Sequence, residues 1–367
     1  MREIHFTCCS CLYSIKQYLQ YLRLCHKSLT FNSFSSVTES LFEPVFCFVD
    51  FAVRWFGVAF VTVVICLVTS VVVIFYMNVI PFVFEIHSPI YAYVHVAYGH
   101  YLLAMILFNY YKAVTTDPGV PPNYSTNIPV TSICKRCIAP KPARTHHCSV
   151  CKKCRLKMDH HCPWLNNCVG HFNHRYFICF CIFMLLGTTY VSISSWALFR
   201  DCFRFFEKLF DIKKSIYSFF GSDVAEGIHG VKLRHALNIN ICAKKDRFFN
   251  SSTVFLWILC SAVTVALGCL TVWHILLITW GETSIEKLIN DRERFRLKKL
   301  RLKFLNPYNF GYMGNWKKLL GFTDFRSFVL HVLLPSTHAP NEDGIVWTMA
   351  SSVDPVHFET NNLSSCV

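Results

Sequence analysis

The chain has 367 residues, of which 53% are apolar and only 16% charged, with a mean hydropathy of +0.36. A soluble domain carries about 25% charged residues, so an ordinary soluble globular protein is disfavoured. The net charge of +14 favours a nucleic-acid or membrane-surface partner. Seven of the twenty cysteines lie between Cys134 and Cys168, and twenty are too few for a disulfide-built scaffold. Composition excludes secreted disulfide, disordered and collagen-like proteins, and favours a membrane protein with a metal-rich insert.

Four apolar stretches are long enough to cross a bilayer, which takes roughly 20 helical residues. Aromatic residues stand at their ends, as is typical of membrane interfaces. Buried helices of a large soluble protein are the weaker alternative, because four such runs would be needed. The sequence predicts an all-α multi-pass membrane protein. Its spans are residues 55–80, 93–113, 176–199 and 254–280.

The basic residues predict the orientation of these spans. No Lys or Arg follows the first span before Tyr93, whereas residues 112–175 contain ten. Since basic residues favour cytosolic loops, we expect the second connection and both termini in the cytosol and a lumenal loop at about 200–251. The predicted regions are a cytosolic N-terminal region (1–53), spans one and two (54–116), a cysteine-rich domain (117–175), spans three and four (176–280) and a cytosolic C-terminal region (281–367).

Three peripheral features carry expectations of their own. Apolar residues within 12–22 share one helical face, which is typical either of an interfacial helix or of an ordinary N-terminal helix. Beside it, Cys8, Cys9 and Cys11 are candidates for acylation. The segment after Pro335 is polar and is predicted to be disordered.

Two further features belong to the predicted lumenal loop. Cys202 and Cys242 either pair in an oxidising compartment or remain free thiols. Asn250 begins a glycosylation sequon that abuts the fourth span, where we expect no modification.

The cysteine-histidine block predicts metal binding. Cys-x-x-Cys spacing lets a tight loop direct two thiolates at one Zn²⁺, and two closed zinc sites need eight ligands. A cytosolic block stays reduced, so metal is a better partner than a disulfide. Seven cysteines and several histidines satisfy this requirement. The spacing recurs in Cys134 and Cys137, in Cys148 and Cys151, and in Cys151 and Cys154.

One cysteine should remain outside the metal sites, and Cys162 is the candidate. It follows Asp159 and His160, so that an acid, a base and a thiol lie within four residues. A thiol is activated by a neighbouring base that an acid orients. From spacing alone, an alternative stays open in which Asp159 caps a turn and both histidines, His160 and His161, bind metal.

The block resembles the cysteine-rich domain of the DHHC-type protein S-acyltransferases (palmitoyltransferases). Motifs outside it agree with that family, except that Ser replaces the second Thr of the motif Thr-Thr-x-Glu. Two segments, 54–57 and 271–274, look like the Abl-philin branch, which is associated with the endoplasmic reticulum. The motifs outside the block are Asp117-Pro118-Gly119, Thr283-Ser284-Ile285-Glu286, Asn306-Pro307 and Asn315.

The resemblance implies two interleaved structural zinc sites and a two-step acyl transfer. His160, held by Asp159, would deprotonate Cys162, which would take a long-chain acyl group, mainly palmitoyl, from acyl-CoA and pass it to a cysteine of a substrate protein. One zinc would take Cys134, Cys137, His147 and Cys154, and the other Cys148, Cys151, His161 and Cys168.

Four residues are candidates for contact with acyl-CoA. Trp164 would pack beside the acyl head, and Lys141 and Arg144 would meet the CoA phosphates, although membrane orientation alone also explains basic residues there. Gly187 lies mid-span and either leaves room for a longer chain or allows close helix packing. The motifs outside the block, including a capping box at Thr283, are expected to provide structural support.

Other classes of protein fit less well. A zinc-finger nucleic-acid binder fails because the ligands interleave and no recognition helix follows them. A non-catalytic scaffold is disfavoured by the intact residues 159–162. A transporter is suggested only by His95, His100 and Asn109 in the second span. We expect two Zn²⁺ ions, acyl-CoA as co-substrate, substrate proteins with membrane-proximal cysteines as partners and no nucleic acid, in the endoplasmic reticulum or Golgi membrane.

Overall fold

The computed structural model describes residues 34–122, 131–220, 242 and 246–350. The predicted N-terminal helix and its three cysteines lie outside the described residues. Four helical segments are long and apolar enough to cross a membrane, which confirms the predicted all-α, four-span architecture. They are Asp50–Ile86, Pro89–Thr115, His174–Arg204 and Arg247–Thr279.

Each membrane segment is longer than the apolar core predicted for it, because a helix continues after it leaves the hydrocarbon until a cap or turn ends it. The first membrane segment comprises α1 from Asp50 onward and α2, which are joined by a π-helical turn at Phe75–Val79. The second is α3, which starts at Pro89, a residue whose missing N–H costs nothing in the first turn. The helices are α1 (Phe34–Ile74), α2 (Ile80–Ile86), α3 (Pro89–Thr115), α4 (His174–Phe220) and α5 (Arg247–Thr279).

Three short antiparallel hairpins form the domain between α3 and α4. Every strand has three residues, so the hairpins bury little apolar surface and need another source of stability. Their pairing sets His147 opposite Cys154 and His161 opposite Cys168. The pairs are β1 (Ser132–Cys134) with β2 (Ala139–Lys141), β3 (His146–Cys148) with β4 (Lys153–Arg155), and β5 (His160–Cys162) with β6 (Asn167–Val169).

Three helices follow the fourth span: α6 (Ser284–Lys299), α7 (Tyr312–Leu320) and α8 (Phe325–Phe328). The predicted capping box is present at the start of α6, where Thr283 accepts from the Glu286 backbone and Glu286 accepts from the Thr283 backbone. Gly321 ends α7 in the left-handed conformation, at φ 69°. A second π-helical stretch, Val329–Leu333, follows α8.

Residues 335–350 form an extended segment, here called the strap, that packs on the cysteine-rich domain. The expectation of disorder after Pro335 is wrong for this part, and residues 351–367 lie outside the described residues. Trp347 donates its indole N–H to the Ala143 carbonyl, and the Glu342 carbonyl accepts from His171. The polar composition suggested disorder because residues that are ordered by bonds to a distant surface show no local apolar pattern.

A disulfide links Cys202 to Cys242 at the end of the bundle away from the cysteine-rich domain. The pairing that the sequence left open is therefore present. Asn250 is fully buried beside it and donates its amide N–H to the Cys242 carbonyl. The expected lack of glycosylation at Asn250 stays a prediction.

Candidate functional site

Two cysteine-histidine clusters bind the hairpins together. In the first, the Cys137 sulfur lies 3.2 Å and the Cys134 sulfur 3.7 Å from Nδ1 of His147. A tetrahedral Zn²⁺ with bonds of ~2.0–2.3 Å sets its ligand atoms at such separations. The ligand atoms of each cluster all lie within 4.8 Å of one another, so each cluster could hold one ion. The clusters are Cys134, Cys137, His147 and Cys154, and Cys148, Cys151, His161 and Cys168.

The clusters interleave along the chain, because the β3–β4 hairpin carries ligands of both, whereas the β1–β2 and β5–β6 hairpins each supply one cluster. In the second cluster, Nδ1 of His161 lies 3.3 Å from the Cys151 sulfur and 3.5 Å from that of Cys168. The cross-strand partner of His161 is Cys168, and directly opposed residues of an antiparallel pair project from the same face. The pairing with Cys168 and the cluster therefore set the side of β5 that His161 occupies.

The alternation of side chains along β5 separates the two adjacent histidines. Successive residues of a strand point to opposite faces. With His161 in the metal cluster, His160 and Cys162 lie together on the other face. His160 and His161 therefore do not share a cysteine-histidine cluster: His160 lies instead with Asp159 and His274, and Cys162 lies outside both clusters.

Asp159 orients His160 within a buried pocket. Its Oδ2 accepts a 2.6 Å hydrogen bond from Nδ1 of His160, and its Oδ1 accepts one of 2.6 Å from the Ser284 backbone. Burial would raise the pKa of Asp159, but these bonds and the neighbouring imidazoles lower it below its usual range. Burial would lower the pKa of His160, but Asp159 and Cys162 raise it to about 10. The raised pKa and the bond to Asp159 suit His160 to act as a base that accepts a proton.

An apolar cavity of about 450 Å³ opens beside Cys162 and runs between the membrane helices. Its lining comes from every span, and Gly187 stands within it. A Cβ at Gly187 would meet only the end of the Ile106 side chain, at 2.8 Å. The lining includes Val68, Phe75, Leu102, Phe180, Leu267 and Leu270.

Trp164 lies where this cavity meets the cysteine-rich domain. Its indole packs edge-on against Phe60 of α1, with ring centres 5.2 Å apart. The Tyr110 hydroxyl of α3 donates to the Trp164 carbonyl at 3.0 Å. Two membrane helices therefore fix the turn that follows Cys162.

The comparisons with known proteins agree with this geometry. Residues 129–291 match the family model of the DHHC palmitoyltransferases. The chain is 46% identical to palmitoyltransferase ZDHHC16A of Danio rerio over 346 residues, which are 91% of the chain and 89% of that protein. It is 46% identical to palmitoyltransferase ZDHHC16 of Homo sapiens, covering 93% and 89% of the two chains. The chain belongs to the DHHC palmitoyltransferase family.

The branch expected from the sequence is also confirmed, since ZDHHC16 is Abl-philin 2. A more distant relative, probable protein S-acyltransferase 15 of Arabidopsis thaliana, is 31% identical over 255 residues, covering 66% of this chain and 84% of that protein. The branch segment 54–57 has a structural reason in this DHHC protein. A Cβ at Gly57 would lie 2.0 Å from Oδ1 of Asn166, so a larger residue would force this side chain of the turn after Cys162 to move.

The Asp-Pro-Gly motif joins α3 to the DHHC domain. Asp117 accepts two hydrogen bonds from Arg155, at 2.9 and 3.1 Å, and one from the Gly119 backbone. Gly119 has φ 101°, and a Cβ there would lie 2.9 Å from Phe172. The Pro118 carbonyl accepts from the Phe172 backbone at 3.4 Å. All three residues are therefore structural.

Arg144 lies in a buried ion pair rather than on the solvent surface. Its guanidinium makes bonds of 2.6 and 2.7 Å to the Glu286 carboxylate and stacks on the rings of Tyr308 and Trp347. Burial would raise the pKa of Glu286, but Arg144 lowers it. The geometry favours a clamp between the DHHC domain and α6, and disfavours the expected contact of Arg144 with CoA.

The C-terminal motif residues cap the C-terminal end of α5 as it leaves the bundle. Asn306 donates to the Trp280 carbonyl at 3.0 Å, and Asn315 donates to the Thr279 carbonyl at 2.9 Å. The Pro307 carbonyl accepts from the Ala350 backbone of the strap. These bonds satisfy carbonyls that a helix end leaves free.

The sequence did not identify two asparagines that hold the site to α3. Asn167 donates to the carbonyls of Val114 and Thr116 at 3.1 and 2.9 Å, and Asn173 donates to the Cys168 carbonyl at 2.8 Å. Both cap the end of span two with side chains of the DHHC domain. In the sequence, Asn167 precedes the candidate ligand Cys168, and Asn173 precedes the first residue of α4. Such positions are too common to predict these hydrogen-bond partners.

The polar residues that suggested a transporter bond to neighbouring protein groups. His95 bonds to Tyr190 and Ser194, and Asn109 donates to the Met105 carbonyl one turn away. His100 lies 2.6 Å from the Tyr76 hydroxyl. None of these contacts requires a transport pathway.

Proposed function

We propose that this protein S-palmitoyltransferase moves a long-chain acyl group, mainly palmitoyl, from acyl-CoA to Cys162 and then to cysteines of substrate proteins. The observation that carries the proposal is the position of Cys162. It shares a strand face with His160, lies outside both clusters and lines the apolar cavity. A thiol with a paired base and a lipid-sized apolar space fits acyl transfer better than metal binding.

The first step forms a thioester on Cys162. His160 accepts the thiol proton, and Asp159 keeps its imidazole oriented. The Cys162 sulfur then attacks the acyl carbonyl, the bond from the carbonyl carbon to the CoA sulfur breaks, and the departing CoA sulfur takes the proton from His160. In the second step a substrate cysteine attacks the acyl-Cys162 thioester by the same exchange. One thioester replaces another, so no other energy source is needed.

The apolar cavity is proposed to hold the acyl chain. Each methylene kept from water contributes about 0.8 kcal/mol, so a C16 chain favours an apolar lining of this kind. The open space beside Gly187 suits longer chains. Trp164, half-exposed at the mouth, would contact the acyl head.

Lys141 is the proposed contact for the CoA phosphates among the residues that the sequence indicated. It lies on β2 and is partly exposed, with no ion pair among the described residues. Arg144 is not proposed as a phosphate contact, because its guanidinium already pairs with the Glu286 carboxylate. A single ammonium recognises phosphate as a point charge.

Two Zn²⁺ ions are the proposed occupants of the two clusters. Each cluster supplies three cysteines and one histidine, the donor set of closed structural zinc sites. A full shell of protein ligands leaves no position for substrate. When bound, zinc supplies rigidity: the clusters hold the turns on either side of β5, and thereby Cys162 and His160, in place.

The proposed location is the endoplasmic reticulum membrane, with Golgi as the second candidate, and both termini in the cytosol. The basic second connection supports a cytosolic DHHC domain. The disulfide at the other end supports an oxidising lumen on that side. Partners would be substrate proteins whose cysteines lie near the membrane, because Cys162 itself lies where the domain meets the spans.

The proposal is tested by labelling the purified protein with a palmitoyl-CoA analogue. We expect hydroxylamine-sensitive label on the wild type and none on Cys162→Ser. Cys269→Ser is the matched control, since Cys269 is exposed on α5 and outside the clusters and the cavity lining. Equal labelling of wild type and Cys162→Ser would contradict the proposal. Zinc content near two per chain in both variants separates loss of the nucleophile from loss of the fold.

A further inference from the structure

His274 lies on α5, five residues before the last helical residue, Thr279. The acyl-transfer steps above do not use it. Its side chain is only 3% exposed. Its ring packs on that of His160, with centres 5.5 Å apart, and meets Phe177 edge-on at 4.9 Å. A buried imidazole in an apolar helix costs free energy unless it has a polar partner.

The carboxylate of Asp159 faces this imidazole. Nδ1 of His274 is buried, makes no hydrogen bond among the described residues, and lies 3.7 Å from Oδ2 of Asp159. That distance exceeds a hydrogen bond. Catalytic hydrogen bonds are often long before substrate binds and shorten in the complex. A shift of under about 1 Å would give His274 its missing partner.

Three elements would then fix one carboxylate. The Ser284 backbone, before α6, donates to Oδ1, and His160 of β5 donates to Oδ2. His274 would add a donor from the fourth span. The same helix also lines the apolar cavity through Leu267 and Leu270, seven and four residues before His274, spacings that share one helical face. An acyl chain in the cavity thus presses on the helix that carries His274.

We propose that His274 is a positioning residue, which donates from Nδ1 to the Asp159 carboxylate once acyl-CoA is bound and holds it in the plane that His160 requires. The inference rests on the proposed acyl transfer. It also gives a function to the segment 271–274, which the acyl-transfer mechanism leaves unexplained. His274 acts through Asp159 and does not itself touch the reacting atoms.

The test is single-turnover acylation of the full-length protein over a range of palmitoyl-CoA concentrations. We expect His274→Phe to lower the maximal rate about tenfold, the effect of one hydrogen bond to a charged group, without raising the half-saturating concentration. His274→Gln keeps a donor and should recover to within about threefold of wild type. His100→Phe is the matched control, since His100 is an exposed histidine of another span.

A double-mutant cycle separates positioning from packing. In the Asp159→Asn background the slow residual rate of acylation is measured. Adding His274→Phe should lower this rate by less than about twofold, because the carboxylate that His274 positions is gone. Zinc content near two per chain shows that each variant is folded, and His274→Leu replaces the Phe variant if that one loses zinc.

Three results would overturn the inference: a wild-type rate in His274→Phe, a Gln variant as slow as the Phe variant, or full additivity in the cycle. A wild-type protein that forms no hydroxylamine-labile acyl-enzyme would instead overturn the proposed function and the inference with it.

Discussion

The membrane bundle and the cysteine-rich domain are stabilised by opposite means. In the bundle, buried apolar side chains such as Leu102 and Leu256 pack between helices, and side-chain hydrogen bonds such as that from Thr264 to Thr188 at 2.9 Å also join helices. The domain has three-residue strands and a small apolar cluster around Val150 and Met158. Its stability depends on metal ligands, ion pairs and caps.

This difference predicts how each region responds to substitution. A metal ligand or a buried ion has one geometry that satisfies it, so its loss leaves a cost that no neighbour can absorb. An apolar wall can change shape at lower cost. Changes in the domain should therefore abolish activity or stability, whereas changes in the cavity wall should alter specificity.

The largest effect is expected for a metal ligand. Cys148→Ala should lower acylation by about 100-fold or more and reduce zinc below two per chain, because metal binding supplies much of the folding free energy of such a domain. Metal analysis of the purified variant and the labelling assay check this. Cys269→Ala should behave as wild type. Full activity with two zinc ions in Cys148→Ala would contradict the view that the cysteine-rich domain depends on its metal ligands.

The next effect concerns the clamp between the domain and α6. Arg144→Gln leaves the buried Glu286 carboxylate unpaired, and we expect a loss of about 3–5 kcal/mol in the free energy of unfolding. Thermal unfolding in detergent measures it. The control is Lys287→Gln, which removes an exposed pair with Asp291 and should cost about 0–1 kcal/mol. Equal melting of the two variants would contradict the assignment of a clamp.

A smaller effect is expected in the cavity wall. Gly187→Tyr should fill part of the space beyond Ile106 and reduce the use of C18 relative to C14 acyl-CoA about tenfold, because each excluded methylene forfeits about 0.8 kcal/mol. Competition between acyl-CoA substrates measures the ratio. Gly268→Tyr is the control, as Gly268 lies outside the cavity lining and a Cβ there meets one atom at 3.8 Å. An unchanged C18 to C14 ratio favours close helix packing instead.

The smallest effect concerns the strap and pH. Burial lowers the pKa of His171 to about 4, and the nearby charges of Lys157, Arg144 and Glu342 modify it. The free side chain titrates near 6.5, so the detached state binds the proton first. Docking of the strap is therefore at full strength above pH 6.5 and weakens as pH falls toward 4.

Hydrogen exchange at Ala350, whose N–H bonds to the Pro307 carbonyl, reports on this docking after correction for the intrinsic rate. Protection at pH 7.5 should exceed that at pH 5.5 by a few-fold, and His171→Gln should remove the difference. A pH change that persists in His171→Gln would assign the effect to another group.

The local features were predictable. Four spans follow from composition, since a bilayer crossing needs about 20 apolar residues. The repeated Cys-x-x-Cys spacing predicted metal binding, the resemblance to the family implied the eight ligands, and a four-residue pattern predicted the capping box at Thr283. Each depends on neighbours along the chain, so the sequence displays it directly.

Long-range partners were not predictable. Arg144 pairs with a residue 142 positions away, the Ser284 backbone reaches Asp159 across 125, and Trp347 reaches Ala143 across 204. The sequence therefore suggested that Arg144 meets CoA and that the strap is disordered. No periodic pattern marks such contacts, and His274 appeared only as the last residue of the branch segment 271–274, with no partner indicated.

The sequence by itself determined which residue types are available: four spans, seven clustered cysteines and a thiol beside an acid and a base. Only the tertiary structure decided which way those side chains face. The pairing of β5 with β6 commits His161 to a metal cluster, and strand alternation then turns His160 and Cys162 toward the membrane cavity. Direction is set by cross-strand partners and packing, which arise only when distant segments meet.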